Sequence, residues 1–294
     1  MKNRLLSTVL ALFFTINFAC AQTITNSTGI RDSLSKLSSR IWKQKTDSSR
    51  LIANALFFNN FQSILKSVTS VGIPLDSING ITHIASADGK FRIFTWNVPL
   101  SNGTNKYFGF IQNNLDSSVV IQLQSNTDEQ PGFDSKQFTS QEWYGAIYYK
   151  LIEVEINNQK TYTLLGWDGF TANSNRKLID IVYLDKSGEI VFGMPVFKTD
   201  KGIKTRVVLE YAEKSNMLLR YDYQSIMVEK KKRLKKEDAW LIVMDRMVPM
   251  DPSMEGIRKY YVPTGDAYDG YIFRNGYWTL VENIEVANKL SLTK

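Results

Sequence analysis

The sequence predicts an α+β protein that is mainly β, in which an N-terminal helical segment packs on a large antiparallel β meander. Apolar residues recur at helical spacing only from residue 32 to about residue 70, and from Ile78 onward they alternate with a period of two. Turn-forming pairs such as Asp88-Gly89 and Asn275-Gly276 separate the alternating runs. No helical pattern between these runs is long enough for a parallel crossover, so we expect antiparallel neighbours. The pattern is compatible with a sandwich, an open barrel or one large sheet.

Residues 1–21 have the pattern of an export signal. Lys2 and Arg4 give a positive start, Leu5 to Phe18 are apolar, and Ala19-Cys20-Ala21 fits the small-residue cleavage rule. The apolar run is too short for a membrane span, so we expect no transmembrane segment. The alternative to simple cleavage is lipidation of Cys20, which the bulky Phe18 disfavours. We therefore predict an exported protein that is periplasmic, outer-membrane-associated or extracellular.

Residues 22–72 are expected to form the helical segment. The first helix would begin near Asp32 and carry Leu34, Leu37 and Ile41 on one face. A second helix would follow a break near Thr46, with Asp47 as its N-cap. Its apolar positions are Phe57, Phe61, Ile64, Leu65 and Val68.

Residues 73–294 are expected to form one antiparallel β domain. The run Leu178–Leu184 is apolar on both faces, which is typical of a strand that is covered on both sides. The predicted strands are Phe91–Val98, Tyr107–Gln112, Val119–Gln124, Trp143–Ile156, Thr161–Trp167, Lys177–Leu184, Ile190–Phe197, Lys204–Tyr211, Met217–Val228, Trp240–Met247, Tyr271–Phe273 and Trp278–Ile284.

The strand from Met217 to Gln224 is expected to have one solvent-exposed face. Its apolar and aromatic residues point one way and its polar residues the other. Charged residues of this region are interpreted as cross-strand ion pairs on a solvent-exposed face. They are Arg206, Glu210, Arg220 and Asp222.

Four segments resemble a family of uncharacterised exported proteins from Bacteroidota. They are Lys90 to Asn97, Trp143 to Tyr149, Leu164 to Gly169 and Val207 to Tyr211. The resemblance covers most of the chain after the helices. It implies export and a β-rich fold, and it implies no activity and no site residues.

The composition excludes several chemistries. Cys20 is the single cysteine, so a cleaved chain would be cysteine-free and would hold no disulfide, thiolate nucleophile or cysteine metal site. His83 is the single histidine, which excludes multi-histidine zinc or copper sites. It falls in a strand-like run, and we interpret it as structural. We expect no cofactor.

Asp168 is the leading candidate for a catalytic group. It follows an apolar run in Leu-Leu-Gly-Trp-Asp-Gly and precedes a polar loop, Gly169 to Arg176. Without a cysteine or a second histidine, it would need another carboxylate, as in glycan hydrolysis. Asp266 and Asp269 are the candidate partners. The alternative, which we favour, is that Asp168 forms a turn by bonding nearby backbone N–H groups.

Two metal hypotheses are weaker. The Asp168 and Asp266 segments offer oxygen ligands, but neither matches a twelve-residue calcium loop. Met244, Met247 and Met250, followed by Met254, have a spacing that exported Cu(I) binders use. Pro249 interrupts any helix that would gather these sulfurs, so we favour core packing and predict no metal site.

One short run carries most of the excess positive charge. The whole chain has a formal net charge of +7. The run is expected at the tip of a long hairpin, as a solvated loop that discourages edge association or as a contact for an anionic envelope surface or glycan. Nucleic acid is not an expected partner of an exported chain. The six basic residues are Lys230, Lys231, Lys232, Arg233, Lys235 and Lys236.

The sequence therefore favours an exported cell-envelope or secreted protein that is structural or ligand-binding rather than enzymatic. The alternative is a carboxylate-dependent glycan hydrolase. The two differ in geometry, because a hydrolase needs two carboxyl groups roughly 5 to 9.5 Å apart in a cleft.

Overall fold

The structure, a computed structural model, describes residues 27–67, 73–114, 116, 119–125, 132–199, 202–230 and 233–284, and the side chains of residues 228–230 and 233–234 are outside this description. The predicted signal segment lies outside the described residues. The remainder is mainly β, with 54% strand and 20% helix, and this confirms the predicted α+β class. The chain divides into two compact units, Met1–Ile81 with Gln112–Val120 and Thr82–Ile111 with Ile121–Lys294.

The first unit contains two helices, α1 (27–43) and α2 (Asp47–Leu65). Asp47 is not the N-cap of α2, as the sequence had suggested. Thr46 has extended backbone angles, and its hydroxyl accepts the Ser49 N–H while the Ser49 side chain accepts the Thr46 N–H. A threonine followed three residues later by serine thus closes a capping box, and Asp47 becomes the first helical residue.

The strands of the described chain form three sheets. The first sheet contains β1 to β4 in chain order. Its strands are β1 (Thr82–Ala85), β2 (Phe91–Pro99), β3 (Asn105–Asn113) and β4 (Val120–Gln124). His83 lies in β1 and stacks on Phe94 of β2, with ring centroids 4.9 Å apart.

The second sheet has the order β5-β9-β8-β7-β6, with β12 paired to β8. Its strands are β5 (Phe138–Thr139), β6 (Ile147–Ile156), β7 (Gln159–Thr171), β8 (Ser174–Leu184), β9 (Ile190–Phe192) and β12 (Val207–Ala212). Strand β8 pairs with β7 along one edge. Along its other edge, the first half of β8 pairs with β12 and its last residues pair with β9.

The third sheet has the order β11-β10-β16-β15-β14-β13. Its strands pair antiparallel in the described chain, except that β10 pairs with β16 in parallel. Its strands are β10 (Phe197–Thr199), β11 (Gly202–Lys204), β13 (Leu219–Lys230), β14 (Arg233–Pro249), β15 (Tyr261–Arg274) and β16 (Tyr277–Ile284).

The second sheet is covered on both faces, as the two-sided apolar pattern of β8 predicts. Leu178 and Val182 belong to a core cluster shared with Ile93 and Tyr107 of the first sheet. Ile179 and Ile181 point the other way, into a cluster shared with residues of the third sheet. Trp278 belongs to this second cluster and donates its indole N–H to Thr163 Oγ1 at 3.0 Å.

The solvent-exposed face expected for β13 is only partly observed. Gln224 and Ile226 point to the side predicted to face solvent, yet they are 2% and 1% exposed. Ile226 packs in a third cluster with Leu241 and Ile272. The side chains of β13 do alternate between two faces, but their polarity alone did not predict which face is exposed to solvent.

Candidate functional site

Asp168 lies inside strand β7 rather than in a loop. The strand continues to Thr171 and β8 begins at Ser174, so the expected loop from Gly169 to Arg176 is almost entirely paired sheet. Thr171 forms the turn instead, because its hydroxyl accepts the N–H groups of Asn173 and Ser174. The interpretation of Asp168 as a turn-forming residue is therefore wrong.

The Asp168 carboxylate is buried and bound by two tyrosines. Its two oxygens accept the hydroxyls of Tyr107 at 2.8 Å and Tyr144 at 3.1 Å. The Tyr107 hydroxyl also accepts the Gly169 N–H at 2.7 Å. Burial raises the pKa of both tyrosines above its ordinary value, and the Asp168 charge raises it further. Both hydroxyls therefore stay protonated and act as donors.

Asn105 supports the same segment from strand β3. Its amide donates to the Gly169 carbonyl at 2.7 Å and accepts from the Asn97 amide at 2.7 Å. A Cβ on Gly169 would come within 2.6 Å of the Asn105 amide nitrogen, so glycine is needed for this approach. The contacts of Tyr107 and Asn105 tie the first sheet to the second.

Arg176 lies directly across the β7–β8 ladder from Asp168. Its guanidinium lies over the Phe170 ring, 3.2 Å from the centroid, and donates to the Tyr144 hydroxyl at 3.3 Å. On the other side it pairs with Glu210 of β12 at 3.6 Å. Cation–π and ionic contacts together offset the desolvation of this buried arginine.

The row Asp168–Arg176–Glu210 does not form a carboxylate pair of the hydrolase kind. The register places the two acids on strands that flank β8, roughly 10 Å apart at the backbone. The guanidinium lies between them, where a hydrolase would place its substrate and water. The arrangement therefore favours a structural polar network, and the hydrolase hypothesis gains no support from it.

A second buried pair lies on the same face of β8, at Asp180. Its carboxylate accepts Arg206 Nε at 3.2 Å, and both side chains are fully buried. Arg206 also donates to the carbonyls of Phe133, Lys136 and Phe192. Burial raises the pKa of Asp180, while Arg206 acts in the opposite direction. The expected ion pairs at Arg206 and Glu210 thus face the core, because β12 continues the inner sheet.

The opposite face of β8 carries Lys177, whose amine has no acidic partner among the described contacts. Lys177 is half-buried, and its amine lies 4.9 Å from the centre of the Tyr149 ring. Burial lowers its pKa to about 8. A lysine in this setting is costly to protonate, since the aromatic ring replaces only part of its hydration.

The predicted partners of Asp168 lie in another sheet. Asp269 of β15 pairs with Arg246 and also accepts the Asn283 N–H at 3.0 Å. Asp266 lies in the same strand and is exposed. No described hydrogen bond joins either acid to Asp168. In the described part of the chain, no three His, Cys, Asp or Glu residues converge as a metal site would require.

The three methionines proposed for Cu(I) occupy different environments. Met244 is 6% exposed and belongs to the core between the second and third sheets, and Met247 packs against that core. Met250 is 55% exposed. A buried, a half-buried and an exposed thioether do not form a shared ligand set in this conformation.

The basic run lies in a β hairpin, as expected, but more of it is strand than the sequence suggested. Strands β13 and β14 pair from Leu219↔Met244 to Lys230↔Arg233. Lys231 and Lys232 lie outside the described residues. Strand β15 pairs with β14 only from Leu241 onward, so Arg233 to Trp240 pair with β13 alone. Lys235 and Lys236 are exposed.

One face of this hairpin exposes large apolar side chains. Trp240 is 54% exposed, Tyr223 is 51% and Met227 is 42%. Tyr223 lies directly opposite Trp240, and Met227 lies opposite Lys236, so all four side chains share a face. We call Tyr223, Met227, Lys236 and Trp240 the arm face. Trp240 also stacks on Tyr221, with ring centroids 5.1 Å apart.

The sequence did not predict the Asp168–Arg176–Glu210 row, the Asp180–Arg206 pair or the arm face. The signal for the rows was present in β8, where Arg176 and Asp180 interrupt an apolar face at even spacing. Nothing in the sequence placed Tyr107 or Tyr144 beside Asp168, because both come from distant elements. Trp240 was assigned to a strand, but its exposure depends on where β15 stops.

Comparisons with known proteins give no assignment: the chain matches no protein-family model, no curated protein and no solved structure. Among the described helices, none has the length and apolar character that crossing a bilayer requires.

Proposed function

We propose that this chain is an exported cell-envelope or secreted protein that works by binding rather than by catalysis, with the arm face as its contact surface. The exposed Trp240 ring opposite Tyr223, with the exposed Met227 further along the same face, is the observation that carries this proposal. Contiguous exposed aromatic and apolar side chains mark interaction sites on proteins that otherwise bury such residues.

The charge at the end of the hairpin supports an anionic partner. Lys235 and Lys236 are exposed there, and the sequence has four further basic residues, Lys230 to Arg233, close to them along the chain. Of the two acids nearby, Glu237 pairs with Arg274, whereas Asp238 is exposed and accepts the Ser225 hydroxyl. A basic end next to apolar rings suits an anionic surface of the envelope.

The buried acids support the non-enzymatic part of the proposal. Asp168 and Asp180 have their oxygens bound by Tyr107, Tyr144 and Arg206 inside the core. Carboxylates that are committed to internal donors hold sheets together and do not transfer protons to a substrate.

Export is tested by the mass of the chain recovered from a Gram-negative host. Cleavage after residue 21 and recovery outside the cytoplasm are expected, and retention of the precursor in the cytoplasm would contradict export. A lipid-modified Cys20 would instead support the lipoprotein alternative.

Binding is tested by sedimentation of the full exported chain with washed envelope fragments. Trp240→Ser is expected to reduce sedimentation, whereas Ile203→Ser, at an equally exposed apolar position in β11, leaves it unchanged. Equal retention of both variants would remove the arm face as the contact surface.

A further inference from the structure

We infer that the arm face binds the arm face of a second copy of this chain, related to the first copy by a two-fold axis. The inference rests on the role of the arm face as a contact surface, as proposed above. Self-association would cover the Trp240 ring in solution, so that a second copy and the envelope would compete for one surface. Three features of the arm point to a second copy as the occupant.

The first feature is the charge pattern along strand β14. Lys236 and Asp238 are both exposed and lie on the same side of the hairpin, two residues or roughly 7 Å apart along the strand. Asp238 uses one oxygen for the Ser225 hydroxyl, so its other oxygen is open to an amine. When two copies stack antiparallel about an axis that crosses β14 at Glu237, Lys236 of each copy faces Asp238 of the other. The pattern is therefore complementary to itself, whereas a partner with charges of one sign would meet attraction and repulsion together.

The second feature is the position of the apolar side chains around the same axis. On β13, this axis places Ser225 of one copy opposite Met227 of the other. Met227 then lies about two residues, or ~7 Å, from the position opposite Tyr223, an offset that thioether and aromatic side chains span. Centring the contact on Asp238 would instead bring two carboxylates face to face, which costs energy. The charges thus select an arrangement that the apolar side chains also fit.

The third feature is the order of the arm. Trp240 stacks on Tyr221 and packs against Tyr223, with ring centroids 5.1 Å and 5.6 Å apart. On the opposite face of the hairpin, Ile226 is buried against Leu241 and other residues of the third sheet. The exposed rings are therefore held in place before binding, and less conformational entropy is lost when a second copy covers them.

The size of the arm face sets the strength of the expected contact. Trp240 is 54% exposed, Tyr223 is 51% and Met227 is 42%. Tryptophan and tyrosine are enriched among the residues that contribute most to protein interfaces. The exposed part of the hairpin is two strands wide and five residues long, roughly 10 Å by 17 Å. A stable interface buries about 800 Å² on each partner, which is more than this face offers. We therefore expect a weak, reversible dimer that another partner can open.

Sedimentation velocity of the purified full chain, across a hundredfold range of concentration, tests the inference. A reversible equilibrium between monomer and dimer is expected, and Trp240→Ser should weaken it at least tenfold because the ring leaves the interface. Asp238→Lys and Lys236→Asp should each weaken it at least tenfold, since each variant places like charges face to face. These two positions are exposed, so the changes are compatible with folding.

The matched controls change equally exposed residues outside the arm. Ile203→Ser is the control for the aromatic change. Glu189→Lys and Lys186→Asp, both at exposed positions of the turn between β8 and β9, are the controls for the charge changes. Each control should leave the dissociation constant of the dimer within twofold of the unchanged chain.

Exchange of the two charges gives the sharpest test. The double variant Lys236→Asp with Asp238→Lys restores opposite charges across the axis and should recover the dimer. A mixture of the two single variants should also associate, although neither variant associates with itself. Such association shows that both variants are folded, which separates loss of contact from loss of fold. An anionic partner gives the opposite result, because Asp238→Lys would strengthen its binding.

The outcomes separate this inference from the proposed function. A chain that stays monomeric at every concentration overturns the inference, while sedimentation with envelope fragments that depends on Trp240 still supports the proposed function. A dimer that Trp240→Ser and Asp238→Lys leave intact overturns the assignment to the arm face. Failure of both the charge exchange and the mixture to associate overturns the two-fold contact. An arm-dependent dimer without binding to fragments supports the inference and overturns the envelope contact.

Discussion

The buried strands β7 and β8 differ from the exposed face of the β13–β14 hairpin in where they place charged and aromatic residues. At Asp168 and Asp180, acids are buried, and tyrosine hydroxyls and guanidinium groups occupy their oxygens. On the arm face, Trp240 and Tyr223 are half exposed, and Lys236 lies further along the same face. The comparison shows that the acids that look most reactive in the sequence are bound by internal donors, whereas the candidate contact surface consists of residues with little reactivity.

The Asp180–Arg206 pair gives the largest expected effect. Asp180→Ala leaves a guanidinium uncompensated in the core, and we expect a loss of about 3–5 kcal/mol in the free energy of unfolding. Urea denaturation measures it. The double replacement Asp180→Leu with Arg206→Met removes both charges and should lose less than Asp180→Ala alone. If the double variant loses more, the pair contributes favourable energy beyond mutual neutralisation, and this half of the comparison needs revision.

The Asp168 network is expected to come next. Asp168→Ala removes the acceptor of two buried hydroxyls and should cost about 2–4 kcal/mol, while Asp168→Asn keeps one acceptor oxygen and should cost less. A double-mutant cycle with Tyr107→Phe measures the coupling between acid and hydroxyl. A fully stable Asp168→Ala variant would contradict the structural role and revive the catalytic hypothesis.

Lys177 adds a third case to the comparison, because its charge is half-buried and lacks an acidic partner among the described contacts. Its folded pKa of about 8 lies below the ordinary lysine value of 10.5, so the unfolded chain binds more protons between these values. Stability should therefore rise as pH increases from about 8 to 10.5, and the cost is present in full below pH 8. Lys177→Met should stabilise the protein by ~1–2 kcal/mol at pH 7, after the lost contact with Tyr149 is counted. Unfolding midpoints at pH 7 and pH 10.5 measure this, and an equal gain at both values would contradict the pKa.

Tyr223 should give the smallest effect on stability. Half of its surface is already in solvent, so Tyr223→Ser is expected to change the free energy of unfolding by only about 0.5 kcal/mol. Thermal unfolding of this variant beside Asp168→Asn compares the two regions directly. A loss as large as that of Asp168→Asn would mean that the arm face is part of the core.

Local patterns in the sequence predicted the β-rich class, the burial of β8 on both faces and the β13–β14 hairpin. These properties depend on period-two alternation and turn residues, which neighbouring residues determine. The position of Asp168 inside a ladder was not predictable in this way, because Thr171 competes with it for the turn and only the structure shows which side chain bonds there.

The partners of Asp168 illustrate the same limit over a longer distance. Tyr107 is 61 residues away and Tyr144 is 24 residues away along the chain. Their meeting depends on the packing of two sheets, which alternation does not encode. The six basic residues were recognisable as a cluster, but their proximity to Trp240 required the register of the hairpin.

The parallel pairing of β10 with β16 has a consequence for how the chain folds. Strand β16 lies inside the third sheet between β10 and β15, and its Trp278 bonds to a residue 115 positions earlier. Contacts of such sequence separation form slowly, because a long loop must close before any energy is gained. The third sheet therefore cannot be completed until β16, the last strand of the described chain, has been synthesised, and such late completion would suit the export before folding that we propose.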